Sequence, residues 1–172
     1  MRPLTPRAFR TLVTRPLATP PLVTPSQPTP TMADRLDGTL APGVVRVDEG
    51  GVHAEVDVVD VDRLGVSVRG VKVRTDSGTG DVVDHAARLP RALGALADKL
   101  RPIEVDPTLG GAVLRSKVRR QEYFEVRSDG REVSVEKLRR GPDGRAAVPF
   151  TLTREQLGRL VEDVGEALAE EE

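Results

Sequence analysis

From Val44 onward apolar and polar residues alternate, the period-two mark of half-buried strands. Val52, Ala54, Val56 and Val58 share one face, with His53, Glu55 and Asp57 on the other. At Val58-Val59 the phase slips by one residue, which predicts a bulge or tight bend and turns Val59 and Val61 inward. The next strand repeats the device: Val66 and Val68 alternate, Gly70 breaks phase, and Val71 and Val73 resume. Residues 75–80 are a loop by composition. Leu89, Leu93, Leu96 and Leu100 then follow at helical spacing, up to Pro102. Pro90 suits a first turn, so the spacing predicts a helix over 90–101, with 81–88 a separate or kinked turn.

The second half is more regular. A strand over about 112–119 leads to a segment from Tyr123 to Arg127, then Asp129-Gly130, then a segment from Glu132 to Lys137. Asp-Gly between alternating segments signals a type I′ hairpin. Pairing outward from it sets Arg127 opposite Glu132, Val126 opposite Val133 and Phe124 opposite Val135, apolar on apolar and charge on opposite charge. The turn Gly141-Pro142-Asp143-Gly144 precedes a further strand through Ala147 and Val148. Thr153 and Gln156 form a capping box, and Leu157, Leu160, Val161, Val164 and Leu168 make the buried stripe of the last helix.

Gly65-Val66-Ser67-Val68 and Glu132-Val133-Ser134-Val135 occupy matching places, each followed by a charged loop and an amphipathic helix. One sheet-plus-helix unit covers only one face, so two would share a core. The pattern therefore predicts an α+β fold of two successive antiparallel sheet-then-helix units, 43–102 and 103–168, with a frayed acidic end at 169–172.

Residues 1–31 depart from this. They hold eight of the fourteen prolines, seven threonines and four arginines, and no acid. The prolines after Arg15 spoil the amphipathic helix of a transit peptide, and no continuous apolar run fits a secretory signal. The reading adopted is a disordered tail, or sequence upstream of a true start at Met32-Ala33-Asp34. Without its four arginines, a chain of net charge -1 falls to -5, so overall positive charge attracts no partner. With no cysteine, disulfide scaffolds, zinc ribbons and thiol catalysis are excluded. No stretch approaches the ~20 apolar residues of a membrane helix, and the expected location is cytoplasmic without membrane contact.

Candidate chemistry thins quickly. Asp76-Ser77-Gly78-Thr79 matches a short aspartic-protease motif, but it occurs once and is ordinary turn composition. Asp57, Asp60 and Asp62 fall on two faces of a slipped strand, whereas a hard cation needs converging oxygens. His53 and His85 stand apart and cannot fill a zinc site alone. No Gly-x-Ser-x-Gly elbow and no phosphate-binding loop of the Gly-x-x-x-x-Gly-Lys type is present. The expectation is a binding module with no catalytic residue, metal or cofactor.

The non-neutral surface is basic. Ten basic residues crowd between Arg115 and Arg145, and Arg115, Lys117 and Arg119 alternate as if on one strand face, with Tyr123 close behind. Cations tracking a backbone beside rings that stack on bases suit single-stranded nucleic acid. A solvated face whose charges pair locally is the competing account.

Residues 114–168 resemble the strand-rich-then-helix repeat of Pur-alpha-type proteins, and more distantly Whirly single-strand binders. The likeness rests on Ser116-Lys117-Val118-Arg119, Tyr123-Phe124-Glu125-Val126, Val133-Ser134-Val135, and Phe150-Thr151-Leu152 with the final helix. The resemblance implies four strands and a helix per repeat, two repeats intertwined in one domain, and contact with single-stranded DNA or RNA through Lys117, Arg119 and Tyr123. The first unit differs in being acidic. The expected partner is thus single-stranded DNA or RNA bound at Arg115, Lys117, Arg119 and Tyr123. The alternative is a protein-interaction or self-association domain in which acidic unit one meets basic unit two of another copy.

Overall fold

In the computed structural model, which describes residues 30–77, 81–96 and 98–169, the alternating segments pair into one antiparallel sheet of nine strands carrying three helices. In chain order these are α1 (Met32–Thr39), β1 (Gly43–Glu49), β2 (Val52–Val61), β3 (Val66–Thr75), α2 (Val82–Ala92), β4 (Leu100–Asp106), β5 (Gly111–Ser116), β6 (Glu122–Ser128), β7 (Glu132–Gly141), β8 (Gly144–Ala147), β9 (Phe150–Leu152) and α3 (Arg154–Ala169). The spatial order is β1-β2-β3-β7-β6-β5-β4. The short β8 pairs with the end of β7, and β9 with the start of β3. Among the described residues no helix is long and apolar enough to cross a membrane.

Burial follows the alternation. Ala54, Val56, Val58, Val71, Val73, Leu114, Val126, Val133 and Val135 are buried from the sheet, and Leu157, Leu160, Val161, Val164 and Leu168 meet them from α3 in one continuous core. The capping box forms as expected: Gln156 donates its backbone N–H to Thr153 Oγ1 at 3.1 Å, and Thr153 N–H reaches Gln156 Oε1 at 2.9 Å. The slip at Val58-Val59 is a bulge, flanked by register shifts on both sides. Val59 is the residue skipped by the ladder and is exposed, not turned inward, while Val61 packs on the core.

Several expectations change. The helix expected over 90–101 lies at 82–92, capped by the Asp81 carboxylate on Val83 N–H at 2.8 Å. Pro90 sits in its last turn instead of its first, and the helix ends two residues later. The leucine series remains buried because it runs through three structures: Leu89 on α2, Leu93 at its cap, Leu96 on a 3₁₀ turn and Leu100 opening β4. β4 continues through Pro102 and Ile103, where the boundary between the two units was expected.

The β6–β7 hairpin is shifted by two residues from the expected register, with Val126 opposite Val135 and Ser128 opposite Val133. Only Gly130 of the Asp-Gly pair has a positive φ, so the turn is not type I′. The Asp129 carboxylate instead accepts N–H bonds from Arg131 and Glu132 at 2.9 and 2.7 Å, which lengthens the loop. Finally, the tail expected over 1–31 meets the described chain at its end: Thr31 caps α1, whose Met32 and Leu36 are buried. The calls on residues 1–29, on Gly78 and Thr79, and on residues 170–172 lie outside the described residues.

Candidate nucleic-acid interface

Because the helices occupy one face of the sheet, the other is left to polar side chains. Across β1, β2 and β3 it is a lattice of charges, many of them paired, with Lys72 and Arg74 making no ion pair among the described residues. Arg46 donates to Glu55 at 2.8 Å, Arg69 to Asp57 at 3.0 Å, and His53 bridges Asp48 at 2.6 Å and Asp76 at 3.0 Å. The bond to Asp48, then that to Asp76, raises the His53 pKa above its ordinary value. A shallow cleft of about 280 Å³ lies here, lined by Arg46, His53, Lys72, Arg74 and Glu132 among others.

Across β5, β6 and β7 the same face is built differently. Tyr123 and Leu138 are cross-strand neighbours, both buried yet outside the continuous core. Glu125, two residues along β6, is only 2% exposed. Arg115 reaches its carboxylate at 2.7 Å, Arg127 at 2.7 Å and Arg145 at 3.4 Å. Burial alone would push the Glu125 pKa up, but the hydrogen bonds from Arg127 and Arg115 outweigh it and hold the carboxyl below its ordinary range. The guanidinium groups of Arg140 and Arg115 lie 5.3 and 5.8 Å from the centre of the Tyr123 ring. Arginine stems and heads thus roof a small nucleus of one tyrosine, one leucine and one glutamate.

Arg115 and Tyr123 are therefore brought together, but not as an open stacking platform. Tyr123 is 1% exposed, and its hydroxyl is buried with no hydrogen-bond partner. The expectation of an exposed ring is corrected: ring and cations on neighbouring strands meet each other before they meet solvent. Lys117 and Arg119 do not share a strand face with Arg115 either, because β5 ends at Ser116. They belong to the β5–β6 turn, closed by reciprocal backbone bonds between Arg119 and Glu122 at 2.8 and 2.9 Å. There Arg120 and Gln121 take left-handed φ values of 50° and 69°. Arg119 extends to Asp98 at 3.6 Å, while Lys117 is exposed.

Side chains that sequence reasoning counted in the basic stretch but did not name as site residues complete this end of the sheet. The Arg140 N–H donates to Gln121 O at 2.9 Å, fastening the β7–β8 hairpin to the β5–β6 turn. Lys117, Arg119, Arg120, Arg139, Arg140 and Arg145 therefore lie on the β5–β6 turn and the adjoining β7–β8 hairpin, all exposed, with Arg139 and Arg140 on opposite faces of the sheet. Glu122 lies among them with both oxygens taken, by Lys137 Nζ at 2.7 Å and by Arg139, and these bonds lower its pKa to about 2. The signal for Arg139, Arg140 and Arg145 was their place on either side of the Gly141–Gly144 turn, which folds them back beside β6. No family model, no curated protein and no solved structure matches the chain.

Proposed function

We propose that the chain is a non-catalytic binding module whose basic sheet end grips the phosphates of a single-stranded nucleic acid. The observation carrying this reading is the gathering of six exposed cations from the β5–β6 turn and the β7–β8 hairpin. Three of the six already meet an acid: Arg139 meets Glu122 on the neighbouring strand, Arg119 meets Asp98 and Arg145 meets Glu125. Lys117 and Arg120 make no ion pair among the described residues, so they are available to an incoming phosphate. Phosphate contacts of this kind supply affinity without base readout, and each makes binding weaker in salt.

With Tyr123 under its arginine roof, the contact is to the strand's backbone and not to stacked bases. Arg115 serves as support, since Glu125 engages it closely, while the looser contact of Arg145 with the same carboxylate leaves that guanidinium half in solvent. The resemblance to Pur-alpha-type repeats fits within this reading. In that view residues 43–102 and 103–168 are diverged copies around a shared core, and β3 and β7, which carry the matching Val-Ser-Val segments, run side by side at the centre of the sheet.

The test is fluorescence anisotropy of a labelled single-stranded oligonucleotide at low ionic strength. The reading expects saturable binding that K117E/R120E weakens by about tenfold or more while the circular dichroism spectrum is unchanged. No binding by the wild-type chain at low salt overturns it.

A further inference from the structure

The two edges of the sheet are finished differently. β4 carries Pro102, which lacks an N–H, and a register shift at Ile103 that bends the ladder, two devices that discourage a further strand. β1 carries neither. Its seven residues pair with β2 without a shift, it contains no proline, and no strand pairs with its outer side among the described residues. Val44, at its start, is 54% exposed.

We infer that the outer side of β1 pairs antiparallel with β1 of a second copy, about a twofold axis through Val47. An axis normal to the sheet keeps both helix layers on one side and sets some residue opposite its own copy. Centring on Arg46 would oppose two arginines. Centring on Val47 sets Arg46 opposite Asp48 of the second copy, and the symmetry makes that contact twice. Both side chains lie on the helix-free face and are about 70% exposed (70% for Arg46, 69% for Asp48). Their present partners, Glu55 and His53, lie on β2, away from the free edge. The charge pattern of the strand is thus self-complementary in one register, and the ladder would run on as a continuous sheet of eighteen strands, nine from each copy. A contact of one seven-residue strand is small, so the dimer forms at about micromolar concentrations or above.

Sedimentation equilibrium on the full chain tests this. The wild type should self-associate reversibly. R46D and D48R should each weaken association about tenfold or more, because each turns two attractive contacts into two repulsive ones. An equimolar mixture of R46D and D48R should restore a dimer, since every cross-strand pair is then opposite in sign, and a folding defect could not produce that recovery. The inference is overturned if the wild type is monomeric at the highest soluble concentration, or if the mixture associates no better than its components. A monomer whose β1 amides are all protected from hydrogen exchange also overturns it, and assigns the edge to another segment of the same chain.

Discussion

The helix-free face holds two solutions to the same problem, the placing of many charges on one sheet. Over β1–β3, several cations meet an acid beside them, as Arg46 meets Glu55 and Arg69 meets Asp57, while Lys72 and Arg74 make no ion pair among the described residues, and the side chains remain largely in water. Over β5–β8, one buried carboxylate, Glu125, holds three arginines, and two of these strands pinch a tyrosine and a leucine beneath them. Exposed, one-to-one pairs contribute little to stability. A buried anion with several cations does the reverse: it fixes the local structure and leaves positive charge at its margin. The difference teaches that the proposed binding surface and the second packing nucleus share Arg140 and Arg145.

Breaking that nucleus should have the largest effect. Tyr123→Ala removes a ring that is almost wholly buried and should cost about 3–4 kcal/mol in urea unfolding. Tyr123→Phe deletes only a hydroxyl without a partner, and should shift stability by less than about 0.5 kcal/mol. A large loss in Tyr123→Phe would mean that the hydroxyl has a role the packing does not give it.

Glu125→Gln comes next. It leaves Arg115, Arg127 and Arg145 facing a neutral group, and should cost about 2 kcal/mol, reduced from a fully buried case because the arginines reach solvent. The matching change among the one-to-one pairs, Glu55→Gln, should fall within about 0.5 kcal/mol by the same unfolding measurement.

How much of this was readable in the sequence depends on how local the cause is. The α3 cap and stripe were readable because both partners of each contact lie within one or two turns of helix. The place of α2 was not, because the leucine spacing is the same whether the chain stays helical past Pro90 or passes through a 3₁₀ turn into β4. The hairpin register turned on one side chain, Asp129, binding two backbone N–H groups. For α1 a signal was present: Thr31 and Asp34 have capping-box spacing, and Met32 and Leu36 lie four apart. Tyr123 was misjudged for the opposite reason. Alternation placed it on the polar face correctly, but its cover comes from Arg115 and Arg140 on other strands, which no local pattern announces.

The two regions should also differ in their response to pH. Glu122, at about 2 against an ordinary 4.5, contributes stability above 4.5 that is lost as pH falls toward 2. His53 is raised above 6.5, so its contribution is full below that value and is lost as pH rises through its folded-state pKa. Melting temperature followed across pH should therefore fall on the acid side less in Glu122→Gln than in wild type, and on the neutral-to-alkaline side less in His53→Gln. These are the smallest effects, since both groups are only half-buried. Identical profiles for wild type and both variants would remove the assigned pairs from the account.

The central claim is that the basic end, and not the lattice on β1–β3, meets the phosphates. It is tested most directly by the salt dependence of oligonucleotide binding in three proteins: wild type, K117E/R120E, and Lys72→Glu as a change on β3. The account predicts a log–log slope for wild type of about −2 or steeper, at about 0.7 per phosphate contact on a single strand. The slope should become shallower by about 1.4 in K117E/R120E, two contacts at about 0.7 each, and stay near the wild-type value in Lys72→Glu. Equal losses in the two variants, or a wild-type slope near zero, would contradict it.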